Sequence, residues 1–238
     1  MVELCRTVRP DCVRAAKSQV AALHLLDIQV VPVWDLTHRL RRVWPTPAAL
    51  FIRGDRALLT RTAVAVVGSR AAHASAASWA FERGRELAAS DVLVVSGGAR
   101  GIDTAAHRGA LEAGGSTLAY IGVPADEVYP KENAALFQRM LVRGGALVTE
   151  HPPGITTYKG DHALRNRFIA AQASEVIVVE AGATSGALVT ADFAARLNVP
   201  IRVSPPGVGV RREGIDGLLA SERCSVWTPG LLVTRSGV

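Results

Sequence analysis

From Thr62 onward the chain alternates short, apolar, β-rich runs with longer alanine-rich stretches of helical period, and this alternation constrains the fold more than any other feature. The runs at 64–67, 92–95, 117–121, 146–149, 176–180 and 201–204 show almost no polar alternation, which predicts strands buried on both faces. A last strand is expected at 224–227. Helices are expected near 74–89, 102–113, 133–143, 164–173 and 187–197. The fold class is therefore α/β, a doubly wound, mostly parallel sheet, and such sheets bind ligands beyond the carboxyl ends of their strands.

Residues 1–61 differ in kind. Asp11 is placed to cap a helix over 12–26, followed by an extended piece at 28–33 and an Arg-rich connector punctuated by proline, LTHRLRRVWPTPAALFIRGD. The expected organisation is a short helical and extended N-terminal segment, 1–61, docked on a domain spanning 62–227, with a C-terminal tail at 228–238.

The net charge of +6 over 238 residues invites a polyanionic partner. Most of the excess, however, lies in residues 1–61, where Arg6, Arg9, Arg14, Lys17, Arg39, Arg41, Arg42, Arg53, Arg56 and Arg61 face five acids. The main domain is nearly neutral, so any anion site there must be built locally. Cys5, Cys12 and Cys224 form no C-x-x-C pair and suit neither a disulfide framework nor a zinc site. No apolar run of about 18 residues occurs, so neither a membrane span nor a signal peptide is expected, and the expected location is cytoplasmic.

The loops that follow the strands carry the chemistry. Gly68-Ser69-Arg70 follows the first strand of the domain, Ser96-Gly97-Gly98-Ala99-Arg100-Gly101 the second, and Glu180 through Gly186 the fifth, the last two opening helices. Gly-rich backbone at a helix start presents free N–H groups that suit a phosphate, with Ser96 and Ser185 as hydroxyl donors and Arg70 and Arg100 as charge. The three loops are expected side by side on one sheet edge. A fourth element, Lys159-Gly160-Asp161-His162-Ala163-Leu164-Arg165-Asn166-Arg167, adds cations, although Arg165 and Arg167 diverge on a helix and at most one can aim at a given ligand.

Neither a G-x-G-x-x-G fingerprint with its acidic partner nor G-x-x-x-x-G-K-[ST] occurs in context, which disfavours a standard NAD site and a P-loop ATPase. No cofactor is expected. Asp103, His107, Glu150 and Glu180 are the acid–base groups near this edge. Asp103 is read as complementing a helix dipole and pairing with His107 at i,i+4, and Glu150 as heading a Pro-Pro-Gly turn. A non-catalytic site is favoured, with Glu180 and Asp103 the residues to test for catalysis.

Taken together, VAVVGSR at 64–70, VVSGGARGIDTAAHRGALEAGGSTLAYIG at 94–122, VYPKEN at 128–133, ALVTEHPPG at 146–154, LRNRFIAAQASEVIVVEAGATSGALVTADFA at 164–194 and PTPAALFIRGD at 45–55 closely resemble the DprA/Smf family. The resemblance implies an extended Rossmann-like domain that binds single-stranded DNA during natural transformation, works as a homodimer and helps load a RecA-type recombinase. Position by position it implies roles for Ser69 and Arg70, for Ser96 through Ile102, for Lys159 and for Arg165 through Arg167; with the loop reading, the expected DNA-binding set is Gly68, Ser69, Arg70, Ser96, Gly97, Gly98, Arg100, Gly101, Lys159, His162, Arg165, Asn166, Arg167, Ser185 and Gly186, with no catalytic residue and no metal.

The sequence departs from the family pattern at three places. His162-Ala163 stands where the family usually has Phe-Pro, Asp216 replaces an Asn, and only the residues after Trp227 are left for a winged helix, so none is expected. A nucleoside-monophosphate-cleaving enzyme of the same superfamily is the alternative reading, although its P-G-G-x-G-T-x-x-E signature is not matched at 180–187. A recombinase adaptor with a decayed DNA pocket is a third.

Overall fold

Because apolar side chains alternate between two sides of each buried run, every central strand feeds two cores at once. The computed structural model describes residues 10–158 and 160–228. Its strands are β1 (Ile28–Pro32), β2 (Ala49–Gly54), β3 (Ala63–Gly68), β4 (Leu93–Ser96), β5 (Thr117–Tyr120), β6 (Ala146–Thr149), β7 (Ala173–Val179), β8 (Ile201–Val203) and β9 (Ser225–Val226). On β3, Val64 and Val66 enter one core layer while Ala63, Ala65 and Val67 enter the other; on β7, Ile177 and Val179 divide from Val176 and Val178 in the same way. Each such fully buried valine or isoleucine contributes about 1.5–3 kcal/mol relative to exposure.

The helices are α1 (Pro10–Leu25), α2 (His38–Arg41), α3 (Ala74–Ala89), α4 (Ile102–Glu112), α5 (Ala134–Val142), α6 (Asp161–Leu164), α7 (Asn166–Gln172), α8 (Gly186–Arg196) and α9 (Glu213–Ala220). The strands form one sheet in the order β1-β2-β6-β5-β4-β3-β7-β8-β9. All pairings from β6 through β9 are parallel, whereas β2 runs antiparallel to both β1 and β6. The doubly wound, mostly parallel α/β architecture expected from the alternation is the one present. The chain starts the wound part at β3, builds outward through β6, then returns to place β7 on the other side of β3, leaving a switch point between β3 and β7.

Three elements differ from the sequence expectation. Residues 49–54, read as connector, form β2, because Leu50 and Ile52 point into the core and the backbone finds partners on β1 and β6. The helix expected at 164–173 is broken at Arg165 into α6 and α7, and Ala173 already begins β7. Helix α9, with two glycines, was not anticipated. Leu36, Leu40, Val43, Leu50, Ile52, Leu58 and Leu59 all join the main core cluster, so residues 28–61 share the domain's core. Buried polar bonds reinforce this, with Gln172 Nε2 donating to Leu58 O at 2.7 Å and Arg167 Nε to Pro45 O at 3.0 Å. At the other end, Trp227 meets Trp79 edge-on at 5.4 Å and the Arg83 guanidinium lies over both indoles. The tail from 229 onward lies outside the described residues.

Candidate nucleic-acid interface

The turns that leave β3, β4 and β5 converge beyond the carboxyl ends of the sheet. They enclose a recess lined by Arg70, Gly97, Ala99, Arg100, Gly122, Tyr129, Pro130, His162 and Arg165. Arg70 and Arg100 are exposed at its rim. Arg100 has one loose, exposed ion pair with Glu132 at 3.6 Å, and Arg70 has none among the described residues. Exposed pairs of this kind contribute little and are easily exchanged for a ligand phosphate.

The floor is rigid because its backbone is held by side chains. Asp103 Oδ2 accepts the Gly97 and Ala99 N–H groups at 3.0 and 3.3 Å, Asn133 Nδ2 donates to Gly98 O and to Thr104 Oγ1, and Thr104 Oγ1 donates to Ala99 O. Two of the N–H groups expected to cradle phosphate are thereby occupied. Those of Gly98, Arg100 and Gly101 have no acceptor among the described residues, and of the three only Arg100 lines the recess. Gly97 and Gly122 are required by close approach: a Cβ on Gly97 would stand 2.3 Å from the Arg165 guanidinium, and one on Gly122 would stand 2.7 Å from His162 Cα.

Arg165 lies at the base of the recess, and only 6% of it is exposed. Its guanidinium donates to the carbonyls of Gly97, Tyr120 and His162 and to Asn166 Oδ1. Burial, helped by Arg70 and opposed by Asp103, lowers its pKa to about 10, so it stays charged at neutral pH. It supplies positive potential from below; Nε and Nη1 are spent on the fold, and Nη2 has no acceptor among the described residues. Arg167, 1% exposed, does not face the recess at all. It makes a two-pronged pair with Glu150, at 2.8 and 2.6 Å, and donates to Leu164 O and Pro45 O. The geometric divergence of Arg165 and Arg167 is thus realised: of the two, only Arg165 lines the recess.

The loops after β4, β3 and β7 stand side by side on the carboxyl edge as expected, since these strands are adjacent and parallel, but the loop after β7 lies across β3 from the recess and lines none of it. Ser185 caps α8 by accepting the Ala187 N–H, Gly186 O accepts from Asn166 Nδ2, and Ser96 Oγ donates to Val66 O inside the sheet. Ser69 is buried, its N–H donating to Glu180 O and its carbonyl accepting from Ile102. Gly68 closes β3 beside it. Lys159 lies outside the described residues.

Tyr129 was missed as a site residue, and it changes the reading of His162. The two rings stand 4.8 Å apart at 37°, forming an aromatic wall where the family's usual Phe is absent. The signal was the VYPKEN segment, whose Tyr and Asn both prove to serve the recess. Burial, with Arg165 and Arg70 nearby, lowers the His162 pKa below its ordinary value, Asp161 pulling the other way. Asp216 is exposed on α9 and does not line the recess.

The acid–base groups have structural partners. Asp103 and His107 do not bond each other among the described residues; His107 Nδ1 instead meets Thr117 Oγ1 at 2.7 Å, and burial lowers its pKa to about 3. Burial raises the Asp103 pKa, against the pull of Arg165 and of its N–H donors. Glu180, fully buried at the switch point, accepts from the His73 N–H and from Arg211. No metal-binding cluster of His, Cys, Asp or Glu occurs among the described residues.

Comparison with known proteins places this arrangement. The family profile described as DNA recombination-mediator protein A matches residues 33–227. A putative DNA processing protein DprA of Mycobacterium tuberculosis is 41% identical over 169 residues, covering 70% of this chain and 43% of that protein. The DprA of Streptococcus pneumoniae is 40% identical over 161 residues, covering 68% of this chain and 55% of that one. The chain thus spans about half the length of these curated relatives. Among solved structures, that of Helicobacter pylori DprA, described for its single-stranded DNA binding mode, superposes with a TM-score of 0.76 at 25% identity, covering 85% of this chain and 92% of that one. The X-ray structure of Streptococcus pneumoniae DprA gives 0.74 at 32% identity, covering 87% and 74%. With the family profile spanning β2 to β9 and every residue that lines the recess, and with relatives 40% identical over two thirds of the chain, the chain belongs to the DprA/Smf family of DNA-processing recombination mediators.

Proposed function

We propose that the recess at the carboxyl ends of β3, β4 and β5 binds single-stranded DNA. The observation that carries this reading is the pairing of two exposed, nearly free guanidinium groups, Arg70 and Arg100, with the Tyr129–His162 aromatic wall across a clamped glycine floor. Cations take the phosphates, the Arg100 N–H adds a donor, and a base stacks on the aromatic wall for about 1–3 kcal/mol. No base-edge donor array is needed, so recognition is tolerant of sequence. A duplex keeps its bases stacked internally and cannot use the wall. Protection of incoming strands during natural transformation, a homodimeric working form and loading of a RecA-type recombinase are further parts of the proposal, supported by the family resemblance.

The test compares oligo-dT with a duplex by fluorescence anisotropy over a salt series. Two phosphate contacts give a log–log salt slope of about −1.4, and Arg70→Ala with Arg100→Ala weakens oligo-dT binding at least about tenfold. Unchanged binding by this double variant overturns the reading. Retention of the recombinase on immobilised protein, with the protein's mass by light scattering, tests the two partners.

A further inference from the structure

A second surface joins unpaired cations to exposed aromatics, at the opposite end of the sheet. Between Trp34 and Trp44 the chain runs through α2, and Leu36, Leu40 and Val43 are buried in the core. That anchoring turns the intervening side chains outward. His38, Arg39, Arg41 and Arg42 are exposed, flanked by Trp34 and Trp44, which are 70% and 82% exposed. None of the three arginines forms an ion pair among the described residues, and Asp35 is the one carboxylate between residues 28 and 52. Arg39 Nη1 approaches Ala173 O at 3.4 Å. With His38 and Arg42 it lines a second recess over the amino ends of β7 and β8, where Ser174 and Asn198 add polar groups.

We propose that this α2 surface is a second contact for single-stranded nucleic acid, separate from the recess at the carboxyl ends. Exposed tryptophans are costly to leave in water, and here two of them bracket four basic side chains. Aromatic faces interleaved with cations are the recognition chemistry of a single strand, whose bases stack while its phosphates are neutralised. Acidic side chains would use the cations but offer the indoles no aromatic face of a base's area. The surface also gives a role to the positive charge concentrated in residues 1–61, which a recess built in the nearly neutral main domain leaves unexplained. The two sites lie at opposite ends of the strands, so a short oligonucleotide engages them one at a time.

The experiment uses the full chain and oligo-dT of about 30 nucleotides, a length well beyond a single module's footprint. Arg41→Ala with Arg42→Ala keeps the Arg39 contact to Ala173 and alters exposed positions, so an unchanged melting temperature is the folding control. The double variant is expected to make the log–log salt slope shallower by about 1.4, the value for two phosphate contacts. Oligo-dT is expected to quench tryptophan emission, and Trp34→Phe with Trp44→Phe to remove most of that quenching. Both effects should persist in an Arg70→Ala, Arg100→Ala background, which separates this site from the first: loss of the first site alone leaves them standing. A salt slope and quenching that match wild type in these variants overturn the proposal. So does quenching by a poly-glutamate peptide without quenching by oligo-dT, which would assign the surface to an acidic protein partner.

Discussion

Replacing Arg167 by Met separates a structural arginine from a DNA-contacting one. The R-N-R segment invites a DNA role for Arg167, but its guanidinium is 1% exposed and bound to both oxygens of Glu150 and to the carbonyls of Pro45 and Leu164. Removing one partner of a buried ion pair costs about 3–5 kcal/mol because the other charge is left unpaired. The Glu150 side chain keeps 17% exposure and can be partly rehydrated, so the lower end, about 3 kcal/mol, applies. For a chain of this size each 1 kcal/mol moves Tm by about 2–4 °C, so Arg167→Met should lower Tm by about 6–12 °C. Adding Glu150→Gln should recover part of the loss, since no unpaired carboxylate then stays behind. Oligo-dT affinity, measured well below the transition, should stay within about twofold of wild type. A variant that melts with the wild type yet loses most of its oligo-dT affinity would refute the structural assignment.

The titration directions give two further tests. His162 is largely neutral at pH 7 because burial and two arginines lower its pKa, and a bound phosphodiester would favour its charged form. Binding should therefore take up a proton, oligo-dT affinity rising as pH falls from 7 toward 5 by up to about tenfold per unit; His162→Phe should flatten the profile, and an equal slope in that variant counts against the assignment. His107 is held neutral, with a folded pKa of about 3 against an ordinary 6.5, so the unfolded chain binds the extra proton first. Its contribution is complete above pH 6.5 and is lost as pH falls, at up to about 1.4 kcal/mol per unit. Asp103, with its raised pKa, acts in the opposite sense between 3.8 and its folded value. Urea midpoints at pH 7 and 5 should fall less for His107→Gln than for wild type, and identical slopes would remove His107 as the cause.

Short, unpolar runs between alanine-rich helices have few alternatives to a buried parallel sheet, which is why β3 through β8 and the helices between them, apart from the break at Arg165, were legible from local pattern. β2 was not, because Leu50 and Ile52 supply only two inward positions between prolines and an arginine. Only the antiparallel partners β1 and β6 make that piece a strand.

At the site the division is sharper. Sequence alone singled out the loops after β3 and β4, which the structure brings to one recess, and identified the family by its motifs. It could not distribute the arginines, because a guanidinium's role depends on which acceptors surround it. Tertiary packing turned Arg167 onto Glu150, buried Arg165 among carbonyls, left Arg70 and Arg100 at the rim and brought Tyr129 beside His162. The same packing kept the 180–186 loop beside β3 but out of the recess, with Glu180 filling the switch point. Hydrophobic period is a local property and can be read along the chain. The partner of a buried charge is set by groups that meet only when distant strands align, and for this protein that meeting decided which cations remain open to a ligand.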